Sequence, residues 1–169
     1  MSKIAGIAAA ALIASAGLAL AQDAENIKAD HEEGGRWFTV DDIPTFRVTE
    51  DGTVDYPVYN GYRRYHSECH VCHGPDGEGS SYAPALKNSA VNLDYGTFVS
   101  IVAGGKQEVN NAQNQVMPAF GDNANVMCFI DDIYVYLKAR GTDAIPRGRP
   151  AKKDPKTEQI REDENACLG

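Results

Sequence analysis

Three stretches of helical periodicity and one short motif predict a mainly helical domain with a single core. Val58, Tyr62, Tyr65 and Cys69 fall at i, i+4, i+7 and i+11, on one helical face. Tyr95, Phe98, Ile101 and Val102 recur at the same spacing, and Gly104-Gly105 supplies a stop. Val126, Phe129, Ile130, Ile133 and Leu137 form a third stripe, ended by Gly141. The motif is Cys69-His70-Val71-Cys72-His73, the C-x-x-C-H form of a covalent c-type haem attachment site.

The chemistry explains the spacing. Two thiols one helical turn apart can each add to a vinyl group on one edge of a porphyrin. The histidine that follows is placed to offer a ring nitrogen to the iron. The competing reading is a structural zinc held by Cys69, Cys72 and two further residues. Zinc sites usually carry a second ligand pair at similar spacing, and Cys128 and Cys167 are too far apart to form one.

The start of the chain gives an address. Lys3 precedes an apolar run from Ile4 to Leu20, and Ala19-Leu20-Ala21 is an A-x-A-type cleavage site. A membrane anchor is the alternative, but the run is short and rich in Ala and Gly. Residues 1–21 are therefore read as a signal peptide. The expected product is exported, periplasmic and not stably inserted in a membrane. The full chain has a formal charge of −8, and losing Lys3 makes it more acidic. Such a surface argues against nucleic acid and permits steering towards a basic partner.

Taken in order, residues 22–56 form an N-terminal extension. Gln22 to Gly35 is polar and acidic and reads as a mobile leader. Trp37-Phe38-Thr39-Val40 is strand-like, and the Asp51-Gly52 turn between Phe46-Arg47-Val48 and Thr53-Val54-Asp55-Tyr56 predicts a small hairpin. Trp37 serves either as an anchor for this extension or as part of a partner surface. The helical domain spans 57–142. Pro57 opens its first helix at the first position, and Gly61 leaves room for a second helix to cross closely. Gly74-Pro75-Asp76-Gly77-Glu78-Gly79 is a tight turn, not a phosphate loop. Residues 106–116 are polar and read as a loop. Residues 143–169 form a tail, basic and proline-rich from Ile145 to Lys156 and then mostly acidic, with room for a short helix. Cys128 faces away from the third stripe, free to meet a returning tail. A Cys128–Cys167 disulfide, two free thiols and pairing with another molecule all fit an oxidising compartment.

His73 is the expected proximal iron ligand. For the sixth position the residues to weigh are Met117, Met127, His31, His66 and His70. Met127 lies within a helix, His66 and His70 flank the attachment site on the proximal side, and His31 lies in the leader. Met117 lies in a loop stiffened by Pro118, so it is the expected ligand. A His/Met pair raises the potential and suits electron transfer. The carbonyl of Pro84, in Pro84-Ala85-Leu86, is placed to accept from His73 Nδ1.

Gly61, Tyr65, Cys69, Cys72, His73-Gly74, Gly77-x-Gly79, Pro84-x-Leu86 and Met117-Pro118, in that order, resemble the class I cytochromes c. The resemblance covers about residues 57 to 140. It implies an all-α fold around one covalent haem c, with cofactor contacts from Cys69, Cys72, His73, Pro84, Leu86 and Met117. Trp37 to Pro44 and Arg63 to Glu68 further resemble the periplasmic cytochromes of methanol metabolism, which are cytochrome cL-like. That likeness implies a quinone-dependent (PQQ) methanol or alcohol dehydrogenase upstream, and a small cytochrome or terminal oxidase downstream. The protein is then a one-electron carrier, not an enzyme. The rival functions are a haem enzyme or gas sensor with an open sixth position, and a zinc-stapled binding module.

Overall fold

The computed structural model describes residues 27–109 and 114–169, so the signal-type segment Met1–Ala21 lies outside the described residues. Helix α1 spans Tyr56–Glu68. Its start is set by Asp55, whose Oδ1 accepts from the Val58 N–H at 2.9 Å. The helix therefore begins one residue before Pro57, which occupies the first turn, where no amide is needed. Val58 and Tyr65 are wholly buried.

The attachment motif is not carried by one continuous helix, as its periodicity suggests. The chain bends at Cys69, and the short helix α2 spans His70–His73. The backbone bonds from Cys72 N and His73 N to the Cys69 carbonyl, 3.3 and 3.0 Å, keep both thiols on one turn. A 3₁₀ turn, Pro75–Gly77, follows.

Helix α3, Leu86–Asn92, lies in a stretch whose sequence carries no helical stripe. Only Ala90 of its residues is buried. Packing holds it instead: a Cβ at Gly141 would collide with the Lys87 carbonyl oxygen. Helix α4 spans Tyr95–Gly104, capped by Asp94 and stopped at Gly105, as its pattern predicts.

Residues 106–116, expected as a loop, instead contribute two strands. Strand β4, Lys106–Val109, pairs antiparallel with β5, Asn114–Met117, with Lys106 opposite Met117. The sequence there has no apolar alternation to signal a strand, so backbone pairing alone defines it.

The third stripe is also interrupted. Helix α5, Ala124–Met127, stops at Cys128, and α6, Ile130–Gly141, starts after Phe129 at φ −130°, ψ 20°. The stripe survives the break, because Val126, Phe129, Ile133 and Leu137 are each at most 2% exposed. Helix α6 crosses α1 at Gly61, where a Cβ would collide with the Asp132 carbonyl oxygen. Only glycine permits that approach.

Around this core run the two flanking segments. Three short antiparallel strands form a sheet in the order β1-β2-β3: β1, His31–Glu33, β2, Arg36–Phe38, and β3, Pro44–Thr45. Residues 31–35 of the expected mobile leader are thus ordered. Backbone pairing with β2 ties it down, and Thr157 Oγ1 donates to the Gly34 carbonyl at 2.7 Å. The hairpin predicted at Asp51-Gly52 is present, with Val48 bridged to Val54. Val54 also bridges in parallel to Lys153 of the tail. The tail ends in helix α7, Glu158–Leu168, capped by Thr157. Cys128 and Cys167 form a disulfide. Helices carry the core, and the two small sheets lie around it.

Trp37 lies beside α6, in a small crevice shared with Pro57, Asp131, Asp132 and Val135. Arg47 stacks over its ring at 5.2 Å. The anchoring role is the one its surroundings support.

Candidate functional site

His73 is buried, 7% exposed, at the end of α2. Its Nδ1 lies 3.0 Å from the Pro84 carbonyl oxygen. A carbonyl only accepts, so Nδ1 carries the proton and Nε2 is left as the lone-pair nitrogen. The same bond fixes the ring plane and raises the basicity of Nε2.

The loop behind the ring is held from several sides. The wholly buried Tyr65 hydroxyl lies 2.6 Å from the Gly74 carbonyl and 3.2 Å from that of His73. Gly74 adopts φ +73° and lies so close to Gly79 that a Cβ would strike its carbonyl. Asp76, in a left-handed conformation at φ +57°, accepts from the Gly148 N–H at 3.0 Å. Glu78 pairs with Lys87 at 2.8 Å and with Arg140 at 3.0 Å. Burial outweighs all else in pushing the Tyr65 hydroxyl pKa upward, so it stays protonated and keeps donating.

Cys69 and Cys72 are free thiols, while the other two cysteines are joined to each other. Burial, then Glu68 and Cys72, pushes the Cys69 thiol up to about 12. Cys72 is exposed. Val71 beside it is 71% exposed, and Tyr82 is 76% exposed.

Met117 closes β5 and packs half-buried against the core, as do Leu86, Phe120 and Met127. Gly105 at φ +74° lies against the Met117 carbonyl and Ala119, and Phe120 N donates to the Val102 carbonyl at 3.0 Å. The segment after α4 is therefore fixed at both ends. Of the other weighed residues, His66 and His70 stack on each other, ring centroids 5.7 Å apart, on the α1–α2 side. His66 Nδ1 donates to the Tyr62 carbonyl at 2.8 Å, and its Nε2 lies 3.4 Å from the Asp76 N–H. His31 stacks on Phe38 in the β-sheet. Met127 lies in α5.

This donor set fits a covalent haem: two reduced thiols on one turn, an imidazole with its outer nitrogen locked, and a thioether on a restrained strand end. It does not fit zinc. Among the described residues no three His, Cys, Asp or Glu side chains converge to hold a metal ion. Sequence reasoning missed the hold on the loop by Arg140, Arg147 and Gly148, since these residues lie more than sixty positions from Asp76 and Glu78.

Comparison with known proteins agrees with this chemistry. Residues 57–137 match the family described as cytochrome c oxidase, cbb3-type, subunit III. The chain is 54% identical over 158 residues to cytochrome c-553I of Paracoccus denitrificans, covering 94% of this chain and 70% of that protein. It is 38% identical over 100 residues to cytochrome c-555 of Methylococcus capsulatus, covering 59% of this chain and 75% of that one. Among solved structures, the c-type cytochrome XoxG from Methylobacterium extorquens AM1 superposes with a TM-score of 0.82 at 54% identity, covering 88% of this chain and 91% of that one. With its motif, its locked histidine and these relatives together, the chain belongs to the c-type cytochromes: it holds haem c covalently and carries electrons one at a time.

Proposed function

We propose that this cytochrome is a periplasmic carrier. It takes electrons from a quinone-dependent methanol or alcohol dehydrogenase and passes them to a small cytochrome or terminal oxidase. Cys69 and Cys72 form the thioethers, and His73 and Met117 are the axial ligands. Residues 1–21 are the export signal. The observation that carries the reading is the 3.0 Å bond from His73 Nδ1 to the Pro84 carbonyl, which readies Nε2 for iron. Export is supported by the Cys128–Cys167 disulfide, which needs an oxidising compartment. Among the described residues no helix is long and apolar enough to cross a membrane. The methanol branch is supported by the Trp37–Pro44 and Arg63–Glu68 likeness and by 54% identity to XoxG over a span that takes in most of the chain.

When bound, haem supplies a ferric/ferrous couple that moves one electron. The chain's part is to keep the ligands still in both states. Pro84 holds the His73 ring, Tyr65 holds the turn behind it, and Gly105 with Phe120 restrains the Met117 strand end. Groups already held this firmly need little rearrangement when the charge changes. Leu86 adds to the apolar packing against the core.

The test is the visible spectrum and potential of the exported protein beside its Met117→Ala variant. The native protein shows the weak far-red band of methionine-bound ferric iron and ignores carbon monoxide. Met117→Ala loses the band, binds carbon monoxide and has a lower potential. An unchanged potential in the variant removes Met117 as a ligand. Stopped-flow reduction by a purified quinone-dependent methanol dehydrogenase tests the upstream partner, and absence of saturable reduction removes it.

A further inference from the structure

The chain is acidic, yet residues 145–156 carry Arg147, Arg149, Lys152, Lys153 and Lys156 against the single Asp154. The structure lays this basic strap across the outside of α1. Val54 pairs with its Lys153, and Arg147 reaches Asp76 in the loop after His73 at 3.5 Å. Arg149, Lys152 and Lys153 are all exposed.

Two of these cations differ from the rest. Lys152 pairs with Asp51, Lys156 with Glu164, and Arg147 with Asp76. Arg149 and Lys153 meet no carboxylate among the described residues. Arg149 donates to the Tyr59 hydroxyl, with its guanidinium carbon 5.2 Å from the ring centroid. Lys153 Nζ lies 5.0 Å from the same ring and 5.6 Å from that of Tyr56. The tyrosine rings hold both cations in place without neutralising them. Between them opens a groove of about 350 Å³ lined by Tyr59, Arg149, Pro150, Ala151 and Lys153.

We propose that this groove is a docking site for an acidic segment of a protein partner, whose carboxylates pair with Arg149 and Lys153. The inference rests on the carrier reading, since a carrier docks twice, once to its donor and once to its acceptor. The acidic remainder of the surface attracts basic partners and repels acidic ones. The strap inverts that preference over one face, so a partner bearing carboxylates is turned towards it. Arg149 presents a guanidinium and Lys153 an ammonium along one open groove. A membrane surface fits less well. Anionic lipid binding gains from apolar groups inserted beside the cations. Among the described residues the large exposed apolar side chains are Val40, Val71, Tyr82, Val116 and Leu168, and none belongs to residues 145–156.

The experiment titrates the oxidised holoprotein, labelled with ¹⁵N, with hexaglutamate at low ionic strength, in parallel with phosphatidylglycerol vesicles. Saturable amide shifts at Tyr59, Arg149 and residues 151–153 are expected, weakening about tenfold in Arg149→Glu/Lys153→Glu. Lys152→Ala, outside the groove, changes the affinity by no more than about twofold. Haem spectra and melting temperatures of each variant establish that it is folded. Were the double variant unfolded, Arg149→Gln and Lys153→Gln singly give the same reading. Shifts that are absent, spread over other faces or insensitive to the substitutions overturn the proposal. So does vesicle binding without saturable peptide binding, which assigns the strap to lipid. Because the titration involves no electron transfer, its failure leaves the spectrum and potential of the carrier untouched, and the two readings fail separately.

Discussion

The α1–α6 crossing and the wrap of residues 31–54 and 145–168 around it are held by different forces. At the crossing, apolar side chains interlock and Gly61 lets the helices touch. In the wrap, Val54, Ile145 and Ile160 join the same core, and buried charge adds a second kind of tie. Asp132, 1% exposed, accepts from Arg36 Nη1 at 2.7 Å and from Asn60 Nδ2 at 2.7 Å. Asn60 also reaches Glu164, which pairs with Lys156. One buried carboxylate thus ties the N-terminal sheet and α1 to α6, and through Asn60 to the tail. Away from Gly61 the apolar crossing tolerates side chains that keep its volume, whereas the polar network fails if one partner leaves.

Substitutions can separate the two. Gly61→Val drives two methyl groups into the α6 backbone, and a loss of more than about 4 kcal/mol is expected. Export yield and thermal melting of the holoprotein measure it. Wild-type stability would show that the helices move apart freely, removing the contrast. Asp132→Ala leaves Arg36 and Asn60 without their acceptor, and chemical denaturation is expected to register a loss of about 3 kcal/mol. A smaller loss in Asp132→Leu than in Asp132→Ala would show that the network serves position more than stability.

Removing the disulfide by Cys128→Ser/Cys167→Ser is expected to cost about 2–4 kcal/mol in the same assay, with the haem spectrum intact. A changed spectrum would mean that the wrap controls the ligands as well as the fold.

Acidity sharpens the comparison further. Burial pushes the Asp55 carboxyl up to about 7 and that of Asp132 up to about 6, from the ordinary aspartate value of 3.8. The fold therefore favours their protonated forms, and their contribution to stability falls as pH rises from about 4 to about 7. Asp55→Asn keeps the Val58 cap, gives up the bond from Arg47 N and is expected to flatten that slope in melting curves across the interval. An unaltered slope would assign the pH response to other groups. At the small end, Lys152→Ala breaks an exposed pair with Asp51, and no measurable change in melting temperature is expected.

The crossing was legible because its information is local. Val58, Tyr62 and Tyr65 share a face within one helix, Gly61 lies among them, and Ile133 with Leu137 repeats the signal in α6. The motif and the Pro84 carbonyl were legible for the same reason, being eleven residues apart. The wrap was not. Arg36 and Asp132 are 96 residues apart, Asn60 and Glu164 104, and a polar residue in sequence does not announce its distant partner. Helix α3 escaped notice because its hold on α6 is backbone against backbone at Gly141. The β4–β5 hairpin escaped because its pairing has no apolar face to show.

The disulfide carries a consequence for assembly. Four thiols allow three pairings, yet this protein needs one pair oxidised and the other left reduced until it is alkylated. Burial sets Cys69 apart from the pair that oxidises. A thiol with its pKa pushed up to about 12 is almost never a thiolate, so Cys69 is a poor attacker in thiol–disulfide exchange. Cys128 lies at the end of α5, within reach of Cys167 once α7 docks, with Cα atoms 5.7 Å apart. Tail docking is thus also an act of sorting, in which the fold directs oxidation to the clasp and holds the buried Cys69 thiol back from it.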